Sequence, residues 1–162
     1  KARERVTSIS GLTHLEGETV SVLSEGAPLV DVVVASGAIT VAETSRATVG
    51  LGYVSDLQTL RYDVGARNGT AGGKLQRITR LIVRFYQTLG GKFGPKFTDL
   101  DPFIFRSGGD SMDTAPALFD GDVEVPWDSE YSSDALICIR QDQPLPMTVE
   151  AFMPQIETQD RQ

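Results

Sequence analysis

The sequence predicts a mainly β protein: a small antiparallel β-barrel or sandwich unit followed by a second β-rich unit, with little helix. Three observations carry this. Short runs alternate apolar and polar residues at a period of two, those runs are dense in β-branched side chains, and turns containing glycine separate them at short intervals.

Taken in order, "ETVSVL" from Glu18 puts Val20 and Val22 on one face and Thr19 and Ser21 on the other, as a half-buried strand requires. "SEG" then supplies a turn. "PLVDVVVASG" is β-branched and closes at Ser36-Gly37, and "AITVAE" alternates again before "ATVGLGYVSDL". These four or five short strands define a first unit over residues 1–60, with the antiparallel barrel or sandwich as its form. "RYDVGARNGTAGG", residues 61–73, holds four glycines and few large apolar residues, and predicts a long exposed loop connecting to a second unit over 61–162.

"KLQRITRLIVRFYQTLGG" fits two structures over 75–89. A helix would put Leu75, Ile78, Ile82, Phe85 and Leu89 on one face; a strand would put Leu81, Val83 and Phe85 there. The β-branched residues Ile78, Thr79, Ile82, Val83 and Thr88 favour the strand. From "DPFIFRSGGDSMDTAPALFDGDVEVPW" onward, short apolar runs alternate with Gly, Pro and Asp, as in loops linking strands. "ALICIRQDQPLPMTVEAF" then predicts a hairpin, with a strand from Ala135, a turn at Gln143-Pro144 and a strand from Met147 to Phe152.

At 162 residues with 40% hydrophobic content the chain can bury a real core. No apolar run approaches the roughly 20 residues of a membrane helix, and "KARERVTSIS" lacks the apolar centre of a secretion signal. The single cysteine, Cys138 in "ALICIRQ", reads as a small buried hydrophobe.

The net charge of -7 is unevenly spread. Residues 61–96 carry eight basic side chains against one acidic, whereas 97–162 carry three basic against fourteen acidic. Such a basic island beside an acidic flank suits either nucleic-acid contact or self-association through complementary patches.

Candidate chemistry fails motif by motif. His14 is the sole histidine and has no cysteine or second histidine to complete a metal set; beside Leu12 and Leu15, with Glu16 to cap or orient it, it reads as a packed or hydrogen-bonding structural residue. "NGTAGGKL" resembles a phosphate loop, but the motif needs glycine where Asn68 stands and Ser or Thr where Leu75 stands. "GGDSMD" around Ser111 does not satisfy GxSxG, and no histidine follows it. Asp99, Asp101, Asp110, Asp113, Asp120 and Asp122 follow no calcium-loop pattern and read as solvated loop acids. We therefore expect no enzyme activity, no catalytic or metal-ligating residue and no cofactor. Lys74, Arg77, Arg80, Arg84, Lys92 and Lys96, interleaved with Phe85, Tyr86 and Phe93, have the composition of a single-strand-binding surface. The acidic remainder would repel a phosphate backbone, and the same residues serve a strand with one charged face.

Several stretches in consistent order, "GLTHLEGETVSVLSEGA", "SGAITV", "VGLGYVSDLQTL", "GGKLQRITRLIVRFYQTLGG" and "IRQDQPLPMTVEAFMPQIET", are similar to the C-terminal part of the tail nozzle or tail-tube family of short-tailed bacteriophages. The resemblance implies a virion structural protein made in the host cytoplasm. Its partners would be further copies of itself in a ring and other phage tail proteins, around a channel through which DNA passes without specific binding. Family members are much longer and this chain begins without methionine, so a C-terminal fragment, a processed product or a separately encoded part is expected.

In that setting the charge asymmetry has a use. A ring needs two unlike surfaces per subunit, and the island residues Lys74, Arg77, Arg80, Arg84, Lys92 and Lys96 would face Asp99, Asp101, Asp110, Asp113, Asp120 and Asp122 of a neighbour, steering register more than adding affinity. A net acidic lining would also let DNA pass without being held. The alternative is a β-sandwich binding module for carbohydrate or a host receptor, with Phe119, Trp127 and Tyr131 stacking on sugar rings.

Overall fold

A computed structural model describes residues 4–63, 65, 66, 69, 70, 72–106, 108, 109 and 114–159. The protein is mainly β, as expected, with its strands in several antiparallel sheets. Among the described residues the sole helical element is one 3-10 turn, Thr13–Leu15.

The chain divides into two compact units. The first runs to Val54 and takes in two later stretches, 106–117 and 142–145. The second comprises Ser55–Phe105, Leu118–Gln141 and the chain from Pro146 onward.

In the first unit, β1 (Val6–Ser10) pairs with β5 (Ala38–Thr44). β2 (Thr19–Ser24) pairs on one side with the two-residue strands β3 (Ala27–Pro28) and β4 (Val32–Val33), and along its length with β6 (Ala47–Leu51). Val20 and Val22 are fully buried, as the alternation demands, and meet Leu12, Val34, Ile39 and Val41 in one aliphatic core. Burying each such side chain contributes about 1.5–3 kcal/mol.

Two tight turns in this unit hold non-glycine residues at positive φ, Glu25 at 51° and Ser36 at 54°. L-residues avoid this region because Cβ crowds the backbone, at a cost of roughly 1–2 kcal/mol. A carboxylate offsets that cost at Ser36-Gly37: Glu16 accepts hydrogen bonds from the Ser36 N–H at 2.8 Å and the Gly37 N–H at 2.6 Å. Glu16 thus holds a turn twenty residues away in sequence rather than orienting His14, and His14 is exposed rather than packed. Gly37 is required there, since a Cβ would lie 2.6 Å from Thr13 Cγ2. Glu25 Oε1 in turn accepts from Ser45 N at 2.7 Å, Ser45 Oγ at 2.6 Å and Arg46 N at 3.2 Å, tying its own turn to the β5–β6 turn. These bonds favour the charged form and lower the Glu25 pKa.

The second unit pairs β7 (Ser55–Gln58), β11 (Lys92–Lys96), β12 (Asp99–Pro102) and β14 (Cys138–Gln141) in the order β12-β11-β14-β7. A second sheet orders β13 (Phe119–Val125), β10 (Leu75–Thr88) and β15 (Val149–Gln159) as β13-β10-β15. A small hairpin, β8 (Gly65–Ala66) with β9 (Gly69–Thr70), lies in the glycine-rich stretch expected to be a loop.

The two sheets share one core. Ile78, Leu81, Val83 and Phe85 of β10 meet Phe93, Phe103, Val125, Ile137 and Ile139, in the manner of a sandwich. Residues 75–88 are therefore a strand. Its inward set jumps from Ile78 to Leu81 because the ladder shifts between Ile78 and Arg80, a bulge that restores Leu81, Val83 and Phe85 to the inner face. A second irregularity against β13 leaves Gln87 at φ 43°, where Asp120 Oδ1 accepts its N–H at 2.7 Å. Gly94 lets β12 approach β11, because a Cβ there would lie 2.0 Å from the Asp99 carbonyl oxygen.

Two stretches part in ways that the sequence pattern does not show. "ATVGLGYVSDL" holds two strands, β6 and β7, belonging to different units. The expected hairpin over 135–152 does not form, since β14 and β15 lie in different sheets of the sandwich. A period-two pattern records that a strand has a buried face but not which sheet supplies its neighbour.

Candidate subunit interface

The basic island meets its acidic counterpart within this chain. β10 sends Arg80 and Arg84 to its exposed face, and β13 lies antiparallel to it with Arg84 directly opposite Asp122. Arg84 donates from Nε to Asp122 Oδ1 at 2.7 Å and from Nη2 to Oδ2 at 2.8 Å. Arg80 makes the same two-pronged contact with Glu124, its Nε 2.7 Å from Oε1. The planar guanidinium fork matches a carboxylate edge, so each pair fixes direction as well as charge. These hydrogen bonds, and the adjacent guanidinium charge, hold the Asp122 and Glu124 carboxyls below their ordinary pKa. Arg140 on β14 does the same for Asp56 on β7, at 2.7 and 2.8 Å, while its guanidinium carbon lies 5.1 Å from the Phe97 ring centroid.

The remaining interface candidates are distributed. Arg77 is half-buried, 6.0 Å from the Tyr131 ring centroid, and pairs in register with Glu157. Lys74 precedes β10. Lys92 opens β11 opposite Pro102, Asp101 stands opposite Phe93, and Lys96 faces Asp99 across the β11–β12 turn. Asp120 is occupied by the Gln87 bulge. Asp99, Asp101, Asp120 and Asp122 lie on strands β12 and β13 rather than in loops; the Asp120 carboxylate accepts from the bulged Gln87 and that of Asp122 from Arg84. Asp110 and Asp113, like Ser111, lie outside the described residues.

An open cavity of about 440 Å³ in the second unit is lined by Pro95, Lys96, Asp99, Asp128, Ser129, Glu130, Tyr131, Ser132, Asp134, Ala135 and Leu136. Four carboxylates against one ammonium make it repel phosphates. Its hydroxyls are engaged: Ser129 Oγ donates to the Ile78 carbonyl at 3.0 Å and Ser132 Oγ to the Asp134 carbonyl at 2.9 Å. Sequence reasoning did not single out Glu124, the partner of Arg80. Its signal was present, as a carboxylate two residues from Asp122 on a strand alternating with Val123 and Val125, but strand pairing was needed to bring it to Arg80.

The three aromatic residues of the binding-module alternative do not form a stacking platform. Trp127 stacks on Phe93 with centroids 6.1 Å apart, and Phe119 packs on Phe105 at 5.4 Å. Both border the core, and only Tyr131 of the three is exposed, at 38%. Cys138 is buried, its thiol pushed up in pKa by burial and by the Asp56 charge. Among the described residues no group of three or more His, Cys, Asp or Glu side chains is placed to hold a metal ion, and no helix is long and apolar enough to cross a membrane.

No protein-family model matches this chain, and no curated protein matches it.

Proposed function

We propose that this chain is a structural subunit of a bacteriophage tail, in the nozzle or tail tube, that assembles with copies of itself into a ring around the DNA ejection conduit of the virion. The observation that carries this reading is where the resembling stretches fall. "GLTHLEGETVSVLSEGA" spans the 3-10 turn, β2 and the Glu25 turn; "SGAITV" opens β5; "VGLGYVSDLQTL" contains β7; "GGKLQRITRLIVRFYQTLGG" contains β10; and "IRQDQPLPMTVEAFMPQIET" runs from β14 into β15. The stretches on which the reading rests therefore belong to the framework of both units. The packing of Trp127 and Phe119 against the core adds support for a scaffold over a sugar-binding surface.

The charged face takes a modified role in this reading. Arg80 and Arg84 are matched by Glu124 and Asp122 inside the chain, so their contribution to a neighbour is a stiff, near-neutral face, and the charge left to steer a neighbour comes from the rest of the island.

Mass measurement of the purified chain by light scattering or native mass spectrometry across a salt series tests the function. A discrete ring-sized oligomer is expected. A monomer at every concentration and salt would overturn the reading for this chain alone. Reversal of Arg77 to Glu, which spares both internal pairs, is expected to change the salt dependence of assembly; an unchanged profile would remove Arg77 from the interface.

A further inference from the structure

A sheet edge presents unpaired N–H and C=O groups, and proteins that stay apart blunt such edges with charge, proline, bulges or brevity. Most edges here are blunted in these ways. β12 carries two aspartates and ends in Pro102, β15 carries Pro154 at its centre, and the β13 ladder is bulged beside Gly121. β3 and β4 are two residues long, the β1 ladder is irregular after Val6, and β5 carries Glu43.

Among the described strands, two edges longer than two residues lack these devices. β6, "ATVGL", has no charge and no proline, and pairs only with β2 among the described strands. β7, "SDLQ", pairs only with β14, and its one charge, Asp56, is held by Arg140 on the strand behind it. Both are ladder-competent, nearly equal in length at five and four residues, and neutral in effect. Exposed apolar side chains accompany each edge: Leu51, Tyr53 at 80% exposure and Val54 at and after the end of β6 in the first unit, and Leu57 with Leu60 at 88% on and after β7 in the second. Single exposed apolar residues are ordinary, but such groups beside an open edge are not.

We propose that copies of this chain join by strand addition, the β6 edge of one copy pairing with the β7 edge of the next, with Leu51, Tyr53, Val54, Leu57 and Leu60 covering the joint. A second copy is the occupant because the chain offers two unlike, uncharged edges, one in each compact unit, and head-to-tail rings need two unlike surfaces. A chain of net charge -7 repels its own copies, and these neutral edges are where two copies can approach closely. The inference rests on the ring-subunit reading and names its contact.

The test compares the full chain with Thr48→Lys on β6 and Leu57→Lys on β7, by native mass spectrometry and light scattering over a concentration series, with Trp127 fluorescence confirming that the second unit is folded. Each lysine lowers the net negative charge, so any loss of assembly arises at the edge rather than from added repulsion. The expected result is a closed oligomer for the unsubstituted chain and at least a tenfold rise in the dissociation concentration for each variant. An equimolar mixture of the two is expected to stop at a one-to-one dimer, joined by the intact β6 of one and the intact β7 of the other. Variants that assemble like the unsubstituted chain would overturn the edge pairing and leave the ring standing. Variants that dissociate but form no mixed dimer would overturn the head-to-tail arrangement, and an unsubstituted chain that is monomeric throughout would overturn ring and pairing together. Hydrogen exchange on the unsubstituted oligomer decides the matter even where a variant misfolds: amides of β6 and β7 should exchange at least tenfold more slowly than after dilution to monomer, and equal rates would sink the proposal.

Discussion

The first unit closes its core with aliphatic side chains alone, Leu12, Val20, Val22, Val34, Ile39 and Val41, whereas the second gathers Phe85, Phe93 and Phe103 at its centre with Phe105, Phe119 and Trp127 around them. Their surfaces differ in the same direction. The first unit spends its carboxylates Glu16 and Glu25 on backbone N–H groups of tight turns, and the second spends Asp56, Asp122 and Glu124 on arginines of facing strands. For the turns of the first unit and the two pairs on β10, the contrast follows from strand length. Short strands leave many turns whose backbone donors need acceptors, and a fourteen-residue strand such as β10 leaves a long outer face on which alternate side chains must be made compatible with water and with each other. An acidic residue is thus a turn fastener in one unit and a ladder partner in the other.

The strongest way to break the contrast is to empty the aromatic centre. Phe85 is 1% exposed and meets Phe103 and Phe105 edge-to-face at 4.9 and 5.4 Å, so Phe85→Ala should cost about 3–5 kcal/mol. Trp127 is the only tryptophan and lies in the second unit, so urea unfolding followed by its fluorescence reads that unit, while hydrogen exchange at Val20 and Val22 reads the first. The fluorescence midpoint should fall steeply and first-unit protection should hold; parallel loss of both would show that the units fold as one.

The reciprocal change comes next. Ile39 is 3% exposed in the aliphatic core, and Ile39→Ala should cost roughly 2–4 kcal/mol, lowering first-unit protection and sparing the Trp127 transition.

Smaller still is the turn. Ser36→Gly removes the Cβ that is strained at φ 54°, and should stabilise the first unit by about 0.5–1 kcal/mol, seen as slower exchange around Ala35 and Ala38. A loss of protection would mean that Glu16 already relieves the strain in full.

The least effect is expected from acid. The Glu25, Asp56, Asp122 and Glu124 carboxyls are all lowered from ordinary values of 4.5, 3.8, 3.8 and 4.5, chiefly by their hydrogen bonds. Groups depressed on folding stabilise fully above those ordinary values, and the contribution is lost as pH falls through the lower folded values. Unfolding midpoints should therefore be flat from neutral pH to about 5 and decline below about 4.5. Three of the four groups are in the second unit, so its midpoint should decline further. All four carboxyls are solvent-exposed and screened, so the decline should be shallow and further reduced by salt. A decline beginning near neutral pH would point to other groups.

The sequence by itself determined that this is a β protein and which residues are buried along most strands. Val20 and Val22, or Leu81, Val83 and Phe85, sit where a period of two places them, because the pleat sends alternate side chains to opposite faces whatever lies beyond. It also marked the tight turn at Ser36-Gly37, since few residues tolerate positive φ. Tertiary structure alone decided the rest. The bulge after Ile78 shifts the buried set by one position, which an unbroken alternation cannot encode. Whether β14 and β15 form a hairpin or part into two sheets depends on which partners compete for their edges. Glu16 reaches Ser36, Arg80 reaches Glu124 and Arg140 reaches Asp56 only once strands far apart in the chain lie side by side. Local pattern is a property of neighbouring residues, whereas pairing, and with it which charges are matched inside the chain, is settled by the free energy of the whole fold.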